Sequence, residues 1–200
     1  MDMMLWDIES ELQAQGYKAI CGVDEAGRGP LAGPVAAAAV ILPFGTEIHG
    51  LGDSKKLTEK KREVLYDKIT DIALAYSIAL ASCEEVDSLN VLQATFLAMN
   101  RAIAGLAVRP DIAVIDGNQN IGIECFSKCV VRGDSISPSI AAASILAKVT
   151  RDRHMLKMAE RFPEYGFEKH KGYGTKLHYE MIQKHGVSEI HRRSFLRKVL

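Results

Sequence analysis

The chain has 200 residues, 48% of them hydrophobic and 25% charged, with 25 Lys/Arg balanced by 25 Asp/Glu. That length buries one full hydrophobic core, and the composition is that of an ordinary soluble globular protein. A membrane-spanning chain is excluded by the shortness of the longest apolar run, near Ala36–Leu42, and a signal peptide by an acidic N-terminus without a basic stretch.

In chain order, residues 4–14 read as a short amphipathic helix. Ala19 to Asp24 is an apolar run ending in a carboxylate pair, a central strand, and Pro34 to Leu42 is a second strand beyond a glycine-rich turn. Gly50 to Leu57 is a polar loop, after which Thr58 caps a helix carrying Val64, Leu65, Ile69 and Ile72. Ala75 to Ala81 predicts a strand, and Ser88 or Asn90 the cap of a helix carrying Leu92, Phe96, Met99 and Ile103. Asp111 to Ile115 is a short buried strand ending at Asp116-Gly117-Asn118, and Glu124 to Val131 an edge strand. Ser137-Pro138-Ser139 opens a long helix through Val149, which Arg153 to Arg161 continues or restarts. Glu164 to Thr175, with three glycines, reads as the mobile segment, and Lys176 to Lys184 as the last helix, closed by Gly186. Strands alternating with helices after an initial strand pair predict an α/β fold with a mixed sheet flanked by helices on both faces.

The zero net charge conceals an asymmetry. Thirteen Lys/Arg and six Asp/Glu fall from Lys148 onward, leaving twelve against nineteen before it. A basic C-terminal quarter, including Arg192, Arg193, Arg197 and Lys198, suits nucleic-acid phosphates, although a charged helical surface without a partner has the same composition. Cys21, Cys83, Cys125 and Cys129 form no CxxC pair, so a zinc site is disfavoured and reduced cysteines in a cytoplasm are expected.

Three acidic sites follow apolar segments: Asp24-Glu25, Asp116 and Asp134. Strand ends in α/β sheets converge on one rim, where four carboxylates repel one another unless cations offset them. Oxygen ligands without histidine favour Mg²⁺ or Mn²⁺, and two such ions suit phosphodiester displacement. Each Asp alone is also an ordinary turn residue. Neighbouring strand residues point to opposite faces, so Asp24 and Glu25 share one metal cluster only if the chain bends at Glu25. Gly27-Arg28-Gly29 reads as a turn that lets backbone approach a sugar-phosphate, and Tyr173 as an aromatic for stacking on a base or sugar. Ser54, Lys55 and Lys148 are candidates for phosphate contacts, Lys148 alternatively for neutralising the carboxylates.

Together Gly22-Val23-Asp24-Glu25-Ala26-Gly27-Arg28-Gly29-Pro30-Leu31-Ala32-Gly33-Pro34-Val35, Asp53-Ser54-Lys55-Lys56-Leu57, Ile115-Asp116-Gly117-Asn118, Gly133-Asp134-Ser135, Ala142 to Asp152, His170-Lys171-Gly172-Tyr173-Gly174-Thr175 and His191-Arg192-Arg193-Ser194-Phe195 resemble bacterial ribonuclease HII, the type 2 ribonucleases H. The resemblance implies a ribonuclease H-like core over residues 1–150 with a C-terminal helical substrate-binding region, 151–200, in the same compact unit. It implies a cytoplasmic, monomeric endonuclease that cuts the RNA strand of RNA–DNA hybrids and 5′ of single ribonucleotides in duplex DNA. By the same resemblance Asp24, Glu25, Asp116 and Asp134 hold two Mn²⁺ or Mg²⁺ ions, Gly27, Arg28 and Gly29 contact the ribonucleotide, and Tyr173 stacks on the following deoxyribose. The competing readings are a DNA nuclease or strand-transfer enzyme using the same carboxylates, and a non-catalytic binding module.

Overall fold

The computed structural model describes residues 6–52 and 54–197. Residues 4 and 5, Asp53 and Lys198, all part of the sequence expectations, lie outside the described residues. A five-stranded mixed sheet forms the centre, with β1 (Ile20–Ala26), β2 (Val35–Ile41), β3 (Ala75–Ala81), β4 (Ile112–Asp116) and β5 (Ser127–Val130) in the spatial order β3-β2-β1-β4-β5. β1–β2 and β2–β3 run antiparallel; β1–β4 and β4–β5 run parallel. The predicted edge strand is therefore real but shorter than the reading of 124–131.

Strand β2 explains why the sheet accepts helices on both faces. Its sequence VAAAAVI is buried at every position. Val35, Ala37, Ala39 and Ile41 pack toward Phe96, Met99 and Ile103 of α4 (Val91–Ala104). Ala38 and Val40 pack toward Leu65 and Ile69 of α2 (Glu59–Ile72) and Ile145 and Leu146 of α5 (Pro138–Arg161). A strand covered on both sides loses polar/apolar alternation, and alanines let the helices come close. The closest approach is at Gly22 of β1, where a Cβ would lie 2.1 Å from the Ser139 carbonyl carbon. Helix α1 (Asp7–Ala14) covers a third cluster, Leu12 with Ile20, Val114 and Ile140.

The caps follow the sequence. Thr58 Oγ1 accepts from Lys61 N, Ser137 Oγ from Ile140 N, and Thr175 Oγ1 from His178 N at the start of α7 (Lys176–His185). Asn90, not Ser88, caps α4, its Oδ1 accepting from Leu92 N and Gln93 N. Before it lies an unpredicted helix α3 (Cys83–Leu89), opened by a reciprocal capping box between Ser82 and Glu85. Helix α5 continues unbroken to Arg161, crossing the expected boundary at residue 150.

The segment expected to be mobile is packed. It forms a 3₁₀ turn and α6 (Phe167–His170), with Tyr165, Phe167 and His170 buried against Leu31, Met155, Ile182 and Leu196. Its aromatic residues bury more than its glycines loosen. Among the described residues no helix is long and apolar enough to cross a membrane.

Candidate active site

The parallel register sets Val23 beside Ile115, so Asp24 of β1 and Asp116, the last residue of β4, follow side by side on neighbouring strands. Asp116 Oδ1 accepts from Gly133 N–H at 2.7 Å, which ties the 3₁₀ turn Gly133–Ser135, carrying the buried Asp134, to the same rim. Asp24 is 5% exposed and faces α5. Its carboxylate accepts from Glu25 N–H at 2.7 Å and from the Ser144 hydroxyl. Ser144 Oγ is 2.7 Å from Ser54 Oγ. With the Ser144 proton directed at Asp24, Ser54 donates to Ser144, giving a buried relay Ser54–Ser144–Asp24. Ser54 thus supports a carboxylate from within.

Glu25 lies on the opposite face. It lines a cleft of about 250 Å³ with Arg28, Phe96, Met99, Asp116 and Asn118. The bend expected at Glu25 is absent: β1 stays paired through Glu25 opposite Ala37 and Ala26 opposite Ala36. The adjacent carboxylates therefore face opposite sides of β1, and the charge of Asp116 at the neighbouring strand end acts on both, so that Asp116, and not a bend, would join them to one cluster. Burial, then the negative charges of Glu25 and Asp116, hold the Asp24 carboxyl well above the usual range. Burial also raises Glu25, while Arg28, 3.4 Å away, and then Lys55 pull it back. Among the described residues no three Asp, Glu, His or Cys side chains gather tightly enough to enclose an ion as they stand. The donor set nonetheless fits a hard divalent cation, being carboxylate oxygen throughout and carrying mutual repulsion that such a charge offsets.

Two arginines that the sequence reading did not single out as positioning groups hold the glycine-rich turn. Arg192 donates from Nε and Nη2 to the Gly33 carbonyl, from Nη1 to Arg28 O and from Nη2 to Gly27 O. Arg151 donates to the carbonyls of Pro34, Ala32 and Lys171. Both side chains are fully buried. Planar guanidinium forks satisfy several carbonyls at once, which a lysine ammonium does not. Burial lowers the Arg192 pKa to about 10, still charged at neutral pH. Gly27 has φ +102°, and a Cβ there would meet Arg151 Nε at 2.2 Å.

The clamp leaves Gly27 buried and Arg28 and Gly29 exposed. A Cβ at Gly29 would lie 4.0 Å from Tyr173 Cε1, so two residues 144 positions apart share one surface. The Tyr173 ring is 44% exposed, with Arg151 5.6 Å and Lys148 Nζ 5.9 Å from its centre. Lys148 Nζ donates to Asp152 Oδ1 at 2.7 Å. Asp152 also faces Arg62 at 3.7 Å, and Arg62 donates to the Ser54 and Leu57 carbonyls. The exposed Lys55 projects from the loop that Arg62 anchors. All four cysteines are free.

Residues 21–198 match the family model described as Ribonuclease HII. A ribonuclease HII of Caldicellulosiruptor bescii is 51% identical over 199 residues, covering 100% of this chain and 97% of its own. A ribonuclease HII of Burkholderia mallei is 58% identical over 176 residues, covering 88% of this chain and 82% of its own. The crystal structure of the ribonuclease H2 from Pyrococcus horikoshii OT3 superposes with a TM-score of 0.75 at 28% identity, covering 91% of this chain and 97% of that one. With the motifs in order, the fold superposing at a TM-score of 0.75 and the acidic rim beside an arginine-clamped turn, the chain belongs to the ribonuclease HII family of metal-dependent endonucleases.

Proposed function

We propose that this protein cleaves the RNA strand of RNA–DNA hybrids and cuts on the 5′ side of single ribonucleotides embedded in duplex DNA. The observation that carries this reading is the pairing of an acidic rim with an adjacent exposed surface made of Arg28, Gly29 and Tyr173. Asp24, Glu25, Asp116 and Asp134 would hold two Mg²⁺ or Mn²⁺ ions. When bound, such a pair stabilises the attacking and leaving oxygens of an in-line displacement. Water adds to phosphorus, the P–O3′ bond breaks, and the 3′ oxygen takes up a proton, leaving 3′-hydroxyl and 5′-phosphate ends.

The chain's own groups do the rest. The Ser54–Ser144 relay and the Glu25 N–H orient Asp24, and Gly133 N–H orients Asp116. Arg151 and Arg192 hold Gly27–Gly29 so that backbone, with no side chain at Gly29, can approach a ribose. The 2′-hydroxyl distinguishes RNA from DNA, and Tyr173, packed beside Gly29, stacks on the next sugar where that hydroxyl is missing. Lys55, Lys148 and the exposed cations of the C-terminal quarter, Arg193 and Arg197 among them, meet phosphates. We read the enzyme as a monomer, and as cytoplasmic in keeping with four unpaired cysteines.

The test is cleavage of a labelled duplex holding one ribonucleotide, beside a long hybrid and an all-DNA duplex, with Mn²⁺, Mg²⁺ or chelator. A metal-dependent cut 5′ of the single ribonucleotide, with the all-DNA duplex intact, is expected. Cutting of the all-DNA duplex would move the reading to a DNA nuclease, and binding without any cut to a binding module.

A further inference from the structure

Three buried histidines lie beneath the Tyr173 turn. His170 and His178 are stacked, centres 4.4 Å apart, and His178 Nε2 is 3.0 Å from His191 Nε2. His178 is fully buried, and His191 and His170 are 2% and 7% exposed. Tyr165 and Phe167 pack against the rings.

Their partners decide every proton. A carbonyl only accepts, so the nitrogens facing one carry hydrogen: His178 Nδ1 toward Tyr173 O at 2.9 Å, and His170 Nε2 toward Tyr165 O at 3.0 Å. A backbone N–H only donates, so the nitrogens facing one are bare: His170 Nδ1 opposite Gly172 N at 3.2 Å, and His191 Nδ1 opposite Ser188 N at 2.9 Å. His191 then carries its hydrogen on Nε2 and donates to the bare Nε2 of His178. One assignment satisfies all six nitrogens, with all three rings neutral. A further proton on any of them would set donor against donor. Burial agrees, lowering His178 and His191 to about 4.

The chain of bonds joins the two halves of the exposed surface. His191 precedes Arg192, whose N–H donates to Leu31 O and whose guanidinium clamps Gly27, Arg28 and Gly33. Leu31 N–H in turn donates to Gly172 O, beside Tyr173. We propose that His178, with its tautomer fixed by His191, is a positioning residue that holds the Tyr173 backbone in register with the Gly27–Gly29 turn and so sets the preference for single ribonucleotides over continuous hybrid. This rests on reading Tyr173 as the group that senses the RNA–DNA junction.

The experiment measures kcat and KM on a single-ribonucleotide duplex and a long hybrid for the native enzyme, Tyr173→Ala, His178→Leu and His178→Asn. It adds ring-nitrogen NMR of the ¹⁵N-histidine native protein. Tyr173→Ala tests the underlying reading: it should lower the rate ratio between the two substrates roughly tenfold or more. His178→Leu should lower the same ratio roughly tenfold through kcat, since substrate binding elsewhere is kept. His178→Asn, whose amide N–H can replace Nδ1–H toward Tyr173 O, should stay within about threefold of the native ratio. NMR should show hydrogen on Nδ1 of His178 and on Nε2 of His191 and His170. A ratio moved by Tyr173→Ala but not by a folded His178→Leu overturns the positioning role and spares the Tyr173 reading. No change with Tyr173→Ala overturns that reading first. Should His178→Leu fail to fold, the ring signals decide: hydrogen on Nε2 of His178 overturns the proposal, and hydrogen on Nδ1 with a native ratio in His178→Asn upholds it.

Discussion

The Asp24 carboxylate is a buried charge facing two like charges, and at the residue scale that makes it costly to the empty fold and useful to a loaded one. A carboxyl raised above its ordinary value contributes stability that is present at low pH and lost as pH rises through its folded value. Asp24→Asn should therefore raise the metal-free melting temperature at pH 7, abolish nearly all cleavage, and retain or improve substrate binding at low metal. Calorimetry with and without Mg²⁺ checks this: the ion should stabilise the native protein and leave the variant unmoved. Native-like cleavage in Asp24→Asn would remove the metal assignment. Gly27 is the second sensitive residue. Gly27→Ala places a Cβ in a left-handed conformation and against Arg151, and should cost about 2 kcal/mol or more by denaturant unfolding. Of the acids, the Asp24-Glu25 pair stood out because a buried carboxylate pair has no cheap structural role, whereas Asp116 and Asp134 each read equally well as turn residues until the Gly133 N–H bond to Asp116 ties their two turns together. Ser144 was not legible: it looks like any small residue in a helix until Asp24 and Ser54 come to meet it.

At the scale of elements, the glycine-rich turn owes its shape to arginines more than a hundred positions away. Arg192→Met strips hydrogen bonds from the carbonyls of Gly27, Arg28 and Gly33 together and should destabilise by on the order of 3 kcal/mol. In urea unfolding, Arg192→Lys should recover only part of that loss, because a point ammonium cannot serve three carbonyls. An unchanged midpoint in Arg192→Met would mean that the turn holds itself. These arginines sat in the sequence as part of a basic C-terminal quarter, a description of charge that missed their inward role. Helix α3 was legible in principle, since Ser82 followed by Glu85 is a capping box, but only seven residues separate that signal from the next cap at Asn90. The Glu164–Thr175 segment was misread because glycines mark turns whether the turn is loose or packed.

For the whole molecule, salt acts on binding and acid acts on folding, the acid response of the buried histidines running opposite to that of Asp24. Raising salt should weaken affinity for nucleic acid through counterion release, measured as the slope of log Kd against log salt; a flat response would turn the basic C-terminal quarter away from the substrate. The histidine cluster sets acid stability. His178 and His191 titrate at about 4 in the fold against an ordinary 6.5, so the unfolded chain takes up protons first. The histidine contribution to stability is then full above pH 6.5 and declines from there toward pH 4, by on the order of 3 kcal/mol for the first proton admitted. A flat melting temperature across that window would mean that the rings are solvated. The sequence by itself determined the five strands, the helices other than α3 and α6, the caps of α2 and α5, and the family, because these depend on neighbours a few positions apart or on motifs read directly. Tertiary structure alone decided that Asp24 and Glu25 face opposite sides of an unbent strand, that Arg151 and Arg192 face inward, and that Gly29 meets Tyr173. The first rests on β1–β2 pairing carried past Glu25 to Ala26, and the other two on hydrogen bonds and packing between residues more than a hundred positions apart, where no local periodicity carries the partner's address.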